Sequence, residues 1–86
     1  MGDAGLEGLP PRLREWVERN TEPGRPTRRR LVELLHRILR GEKVTYGEVK
    51  RTGLYYQLRK MRRQGVLILV KERGPARLAV SPEYLE

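Results

Sequence analysis

The stretch LYYQLRKMRRQGVLILV, residues 54–70, sets two hydrophobic periodicities on either side of one glycine. At about 100° per residue, Leu54, Leu58 and Met61 fall within an arc of about 60°. Residues 54–64 therefore predict a helix with a narrow apolar seam. Tyr56, Arg59, Lys60 and Arg63 fall on the opposite side, and Tyr55 and Arg62 occupy one flank. Gly65 stops the helix. VLILVKE (66–72) is β-branched and apolar, which predicts a buried strand. The Gly-Pro of RGPAR (73–77) turns the chain, and LAV (78–80) returns as a second strand, closing a hairpin.

Working back from that stretch, VTYGE (44–48) carries a helix start. Thr45 and Glu48 have capping-box spacing, and Val44 and Val49 have the spacing of a hydrophobic staple. A short helix is expected from Tyr46 to about Arg51. Thr52 and Gly53 then form a turn, with Thr52 a candidate cap for the helix at 54–64. Upstream, Leu31, Leu34, Leu35, Ile38 and Leu39 form one helical stripe, with Thr27 as the expected N-cap and Gly41 as the stop. His36 lies off that stripe and reads as a surface or boundary residue. Leu13, Trp16 and Val17 recur at helical spacing, so 11–20 predicts a short amphipathic helix, entered through Pro10 and Pro11. Trp16 is expected to anchor that helix either on the domain or in a dimer interface. Residues 1–10 read as a disordered leader, 20–26 as a turn-rich connector, and 27–86 as the domain itself.

The chain has 86 residues, enough for one small domain. It contains no cysteine, which excludes disulfides, thiolate metal sites and thiol catalysis. With one Ser, one His, no glycine-rich phosphate loop and no metal-ligand spacing, no enzyme activity and no cofactor are expected. No apolar run reaches the length of a membrane span, and MGDAGLEGLPP has neither the basic start nor the apolar stretch of a secretory signal. A cytoplasmic, nucleoid-associated protein is expected. Abundant Arg, one Asn and two Gln fit a thermophile.

Net charge is +8, and its distribution matters more than its size. Residues 1–26 hold four Arg against five acids, a net of −1, while 27–86 hold fifteen Lys/Arg against six acids, a net of +9. Between Glu48 and Glu72 there are seven cations and no acid. A block of one sign attracts phosphates or acidic surfaces.

The order of helix, short helix, glycine turn, basic helix, glycine, apolar strand, basic loop and strand resembles the winged helix-turn-helix superfamily of DNA-binding domains. The resemblance covers residues 27–84 and is most specific in LYYQLRKMRRQGVLILV. It implies a small α+β fold: a three-helix core plus a β-hairpin wing, here with an extra short N-terminal helix. It further implies that helix 54–64 enters the major groove and that KERGPAR (71–77), the wing, touches the flanking backbone. From Thr45 to Leu54 the chain is shorter than in many members, so the second helix is expected to be about two turns with an abrupt joint.

On this reading Arg59 and Arg63 are long planar donors suited to guanine O6 and N7. Lys60 and Arg62 contribute phosphate contacts, and Tyr55 and Tyr56 contribute hydroxyls or stacking faces. Arg51, Lys71, Arg73 and Arg77 flank that helix in sequence or lie on the wing. Arg28 and Arg29, followed by Arg30, open the long helix, where cations oppose the helix dipole and need another reason to be present. Double-stranded DNA is the expected partner, bound by a small transcriptional regulator, with residues 11–20 a candidate homodimer contact and no small-molecule ligand evident. Two alternatives stand beside it. One is an RNA-binding, ribosome-associated winged helix, which the paired tyrosines would suit. The other is a protein-interaction winged helix within a larger nucleic-acid or membrane-remodelling assembly.

Overall fold

Each amphipathic stretch forms a helix, and the apolar run after the last of them starts a hairpin. The computed structural model describes residues 5–86. Helix α1 spans Pro11–Asn20, α2 Pro26–Leu39, α3 Tyr46–Lys50 and α4 Tyr55–Arg63. Strands β1 (Leu67–Val70) and β2 (Arg77–Val80) pair antiparallel. The result is a small α+β fold of four helices and a two-stranded hairpin, compatible with a winged helix.

Helices α2 and α4 end the same way. At the end of α2, the Gly41 N–H donates to Ile38 O (3.0 Å) and the Glu42 N–H to Arg37 O (3.1 Å). At the end of α4, Gly65 N–H donates to Arg62 O (3.2 Å) and Val66 N–H to Met61 O (2.8 Å). These paired bonds satisfy carbonyls the helix leaves open. They require a left-handed residue at the joint, and Gly65 has φ +77°. The angle between α4 and β1 is thereby set locally.

Helix starts depart from expectation in two places. Helix α2 begins with Pro26 in its first turn and Arg25 as N-cap, ahead of the expected Thr27. Proline's fixed φ suits the first turn, where its missing N–H is no loss. Thr52 does not cap α4: its Oγ1 donates back to Val49 O (2.8 Å), and Leu54 is the N-cap without a side-chain bond. Thr45 does cap α3, its Oγ1 accepting from Glu48 N–H at 3.3 Å, and Val44 and Val49 are both fully buried. The Glu48 carboxylate pairs with Arg37 at 2.8 Å, tying α3 to α2. With five residues, α3 is shorter than the two turns expected.

The core joins all four helices and the inner face of the hairpin. Leu31, Leu35, Leu58, Met61, Leu67 and Leu78 are completely buried within it. On the far edge of β2, Leu78 N–H donates to Val44 O (2.7 Å), so the loop before α3 adds one backbone bond to that edge. The strand at 66–72 is shorter than expected and not buried throughout. Val66 and Leu67 are covered, but Ile68 and Leu69 are 38% and 36% exposed. The helices cover only the base of the hairpin, and the pleat turns Ile68 to the outer side with Ala79, its register partner.

Residues 5–10 correct the expectation of a disordered leader; residues 1–4 of that leader lie outside the described residues. Leu6–Gly8 forms a 3-10 turn, and Leu6 and Leu9 are buried in the core. The His36 Nε2–H donates to Gly5 O (2.6 Å). A Cβ on Gly8 would stand 3.1 Å from His36 Cε1, so the glycine permits close packing. Trp16 is buried and its Nε1–H donates to Gln64 Oε1 (2.8 Å), so it anchors α1 on its own domain. Leu13, Trp16 and Val17 are all covered by the chain itself. A homodimer through 11–20 would have to use the polar side of this helix.

Arg28 is a further correction. It is only 4% exposed. Its Nε–H donates to Thr21 Oγ1 (2.8 Å), and its Nη2 donates to Glu18 O (3.1 Å) and Thr21 O (2.7 Å). The cation that opposes the dipole of α2 thus caps the C-terminal carbonyls of α1, where positive charge is favourable. It staples two helices and is not free to meet a phosphate.

Three substitutions test these contacts by urea denaturation. Leu58→Ala leaves a cavity where the seam meets the core and is expected to lower stability by ~2–5 kcal/mol. Arg28→Met keeps the volume but orphans buried carbonyls, with an expected loss of ~2–3 kcal/mol. Arg28→Lys restores only part of that loss, because an ammonium lacks the planar fork.

Candidate nucleic-acid interface

Burial of one side of α4 decides what the other side presents. Leu54, Leu58 and Met61 are at most 3% exposed. On the reverse side Tyr56 is 75% exposed, Arg59 and Arg63 are exposed, and Lys60 is half-buried. Tyr55, Tyr56, Arg59, Lys60, Arg63 and Gln64 line one concavity of about 300 Å³. Gln64 is held in place by Trp16, so α1 fixes one border of this surface from behind.

Among the described residues, no carboxylate lies within ion-pair distance of Arg59, Lys60, Arg62 or Arg63. Five of the described acids are paired elsewhere, Glu48 with Arg37 among them. Glu15 pairs with Arg19, Glu22 with Arg25, Glu42 with Arg37 and Arg40, and Glu72 with Arg77. The Arg40 and Arg37 guanidiniums hydrogen-bond the Glu42 carboxylate and hold its carboxyl below the usual range.

At the N-terminal end of α4 an aromatic pair organises two of the cations. The Tyr55 ring meets the Tyr46 ring edge-on, centroids 5.7 Å apart at 71°. Lys50 Nζ stands 5.2 Å and Arg59 Cζ 5.7 Å from the Tyr55 centroid. The negative ring face draws both cations toward it. Partial burial raises the Tyr46 phenol above its ordinary value, against the opposing field of Arg62, so it remains a neutral hydroxyl. Lys50 therefore belongs with Arg59 in a cluster that spans α3 and α4.

The remaining expected contacts are dispersed. Arg51 is exposed on the α3–α4 turn, and Arg29 is exposed on the first turn of α2. Lys71 and Arg73 are exposed on the hairpin loop, where Arg73 O accepts from Lys43 Nζ (3.1 Å). Arg77 is half-buried and paired with Glu72 at 2.6 Å, which leaves it less available than Lys71 or Arg73. Tyr46 and Gln64 were not legible as part of this surface. Neither carries charge, and both join it through contacts between elements. Among the described residues no group of His, Cys, Asp and Glu is placed to hold a metal ion, and no helix is long and apolar enough to cross a membrane.

Tyr55→Phe keeps the ring and is expected to leave stability within about 0.5 kcal/mol. Tyr55→Leu removes the edge contact and both cation contacts, with an expected loss of about 1–2 kcal/mol on thermal or urea unfolding. Comparison of the chain with protein-family models, with curated proteins and with solved structures finds no match.

Proposed function

We propose that this chain is a winged helix-turn-helix domain that binds double-stranded DNA sequence-specifically, as a small transcriptional regulator. Helix α4 lies in the major groove, and the loop at 71–77 lies on the backbone. The observation that carries this reading is the solvent-facing side of α4, cationic and without a carboxylate partner among the described residues. Arg59 and Arg63 are one helical turn apart on that side, and each offers a planar fork to guanine O6 and N7. Lys60, Lys71 and Arg73 meet phosphates, releasing condensed counterions. The Tyr55 ring braces Arg59, which lowers the entropy lost when it engages a base. The function is binding, and it calls on no catalytic group, metal or cofactor.

A second reading draws on the 75% exposure of Tyr56. An uncovered ring flanked by arginines suits stacking on an unpaired RNA base.

The test is a binding selection from random duplexes, repeated with Arg59→Ala and Arg63→Ala. An enriched motif that shifts with either substitution is expected. If about six cations of this surface meet phosphates in all, the log–log salt slope should be near −5. A slope near zero, or no enrichment, overturns the DNA reading and favours a protein-interaction module. Stronger competition by structured RNA than by duplex favours the second reading.

A further inference from the structure

A second groove lies beside the turn that leads into α4. One wall is a single face of α2, with Arg30, Glu33, Leu34 and Arg37 at helical spacing; the other is Arg51, Thr52 and Leu54. Its volume is about 380 Å³. The apolar lining is Leu34 and Leu54, buried to 4% and 3% exposure. On opposite walls, Arg30 and Arg51 are exposed, and among the described residues neither has a carboxylate within ion-pair distance. Arg37 is already neutralised by Glu42 (3.2 Å) and Glu48 (2.8 Å). The turn is open at Gly53, where a Cβ would meet nothing within 4 Å. A bulky ligand can therefore come close to the backbone there.

We propose that this groove binds one phosphodiester of a nucleic-acid backbone, with Arg30 and Arg51 gripping its non-bridging oxygens from opposite walls. Leu34 and Leu54 provide an apolar surface for the adjoining sugar. Charge balance selects the ligand class. Arg30 and Arg51 supply two positive charges and Glu33 one negative, a net of +1 that matches a diester monoanion better than a monoester dianion. The site rests on the DNA-binding reading above and adds a contact on α2 to it. Its contacts are to the backbone, so it positions the domain and reads no sequence. Glu33 sits in the same wall and opposes the bound phosphate, which moderates affinity.

The experiment uses the full chain and a duplex carrying the selected motif. Salt titrations compare the unaltered protein with Arg30→Ala/Arg51→Ala and with Glu33→Gln. Because the groove holds one phosphate, the double variant is expected to flatten the log–log salt slope by about 1 and leave the selected motif unchanged. Glu33→Gln is expected to tighten binding at low salt. Because all three side chains are exposed, circular dichroism should show an unaltered fold. An unchanged slope in the double variant overturns this site alone, whereas the absence of salt-dependent binding in the unaltered protein overturns the site and the DNA-binding reading together.

Discussion

Burial of Leu54, Leu58 and Met61 is the constraint on which the rest of this molecule depends. Each buried side chain of this size contributes about 1.5–3 kcal/mol. Rolling α4 by half a turn would expose all three and drive Arg59 and Arg63 into the core. Desolvating each guanidinium without a partner costs several kcal/mol. The two terms act in the same direction, so the roll of α4 has one solution. Its direction is then fixed by the glycine joint at Gly65 and by the Trp16–Gln64 bond.

The electrostatic design follows from where the acids are spent. Glu42 and Glu48 are bound to Arg37 of α2, and Glu72 stays on the hairpin with Arg77. The outward side of α4 is left without a local counterion among the described residues. Repulsion among surface cations is modest in water and is screened by salt. A cluster of this kind is therefore tolerated in the free protein and becomes favourable when a polyanion arrives. Arg28 shows the opposite use of the same residue type. Its charge is sequestered to close the end of α1, and its planar fork ties α1 to α2.

Much of this was legible in the chain because local rules govern it. The stripe of α2, the Thr45 cap, the seam of α4 and the glycine stops all depend on residues within one or two turns of each other. The starts of α2 and α4 shifted for local reasons, but the larger departures came where a distant partner decided the outcome. Glycines at 5 and 8 resemble a flexible leader until His36 packs against them. VLILV resembles a buried strand, yet only its base meets a helix, and Ile68 and Leu69 remain exposed. Arg28 and Arg29 are neighbours of the same type in the sequence, and one is buried while the other faces solvent.

The amino-acid sequence alone determined the helix spacing, the side of α4 that is apolar and the excess of positive charge after residue 26. These are properties of periodicity and composition, and short-range sterics enforce them. Tertiary structure decided which cations remain available, which tyrosine braces Arg59, and that the loop into α4 faces Arg30 across a groove. Those outcomes depend on side chains far apart in the chain meeting in space. No local pattern encodes such meetings, because each is settled by how several buried faces fit around one core.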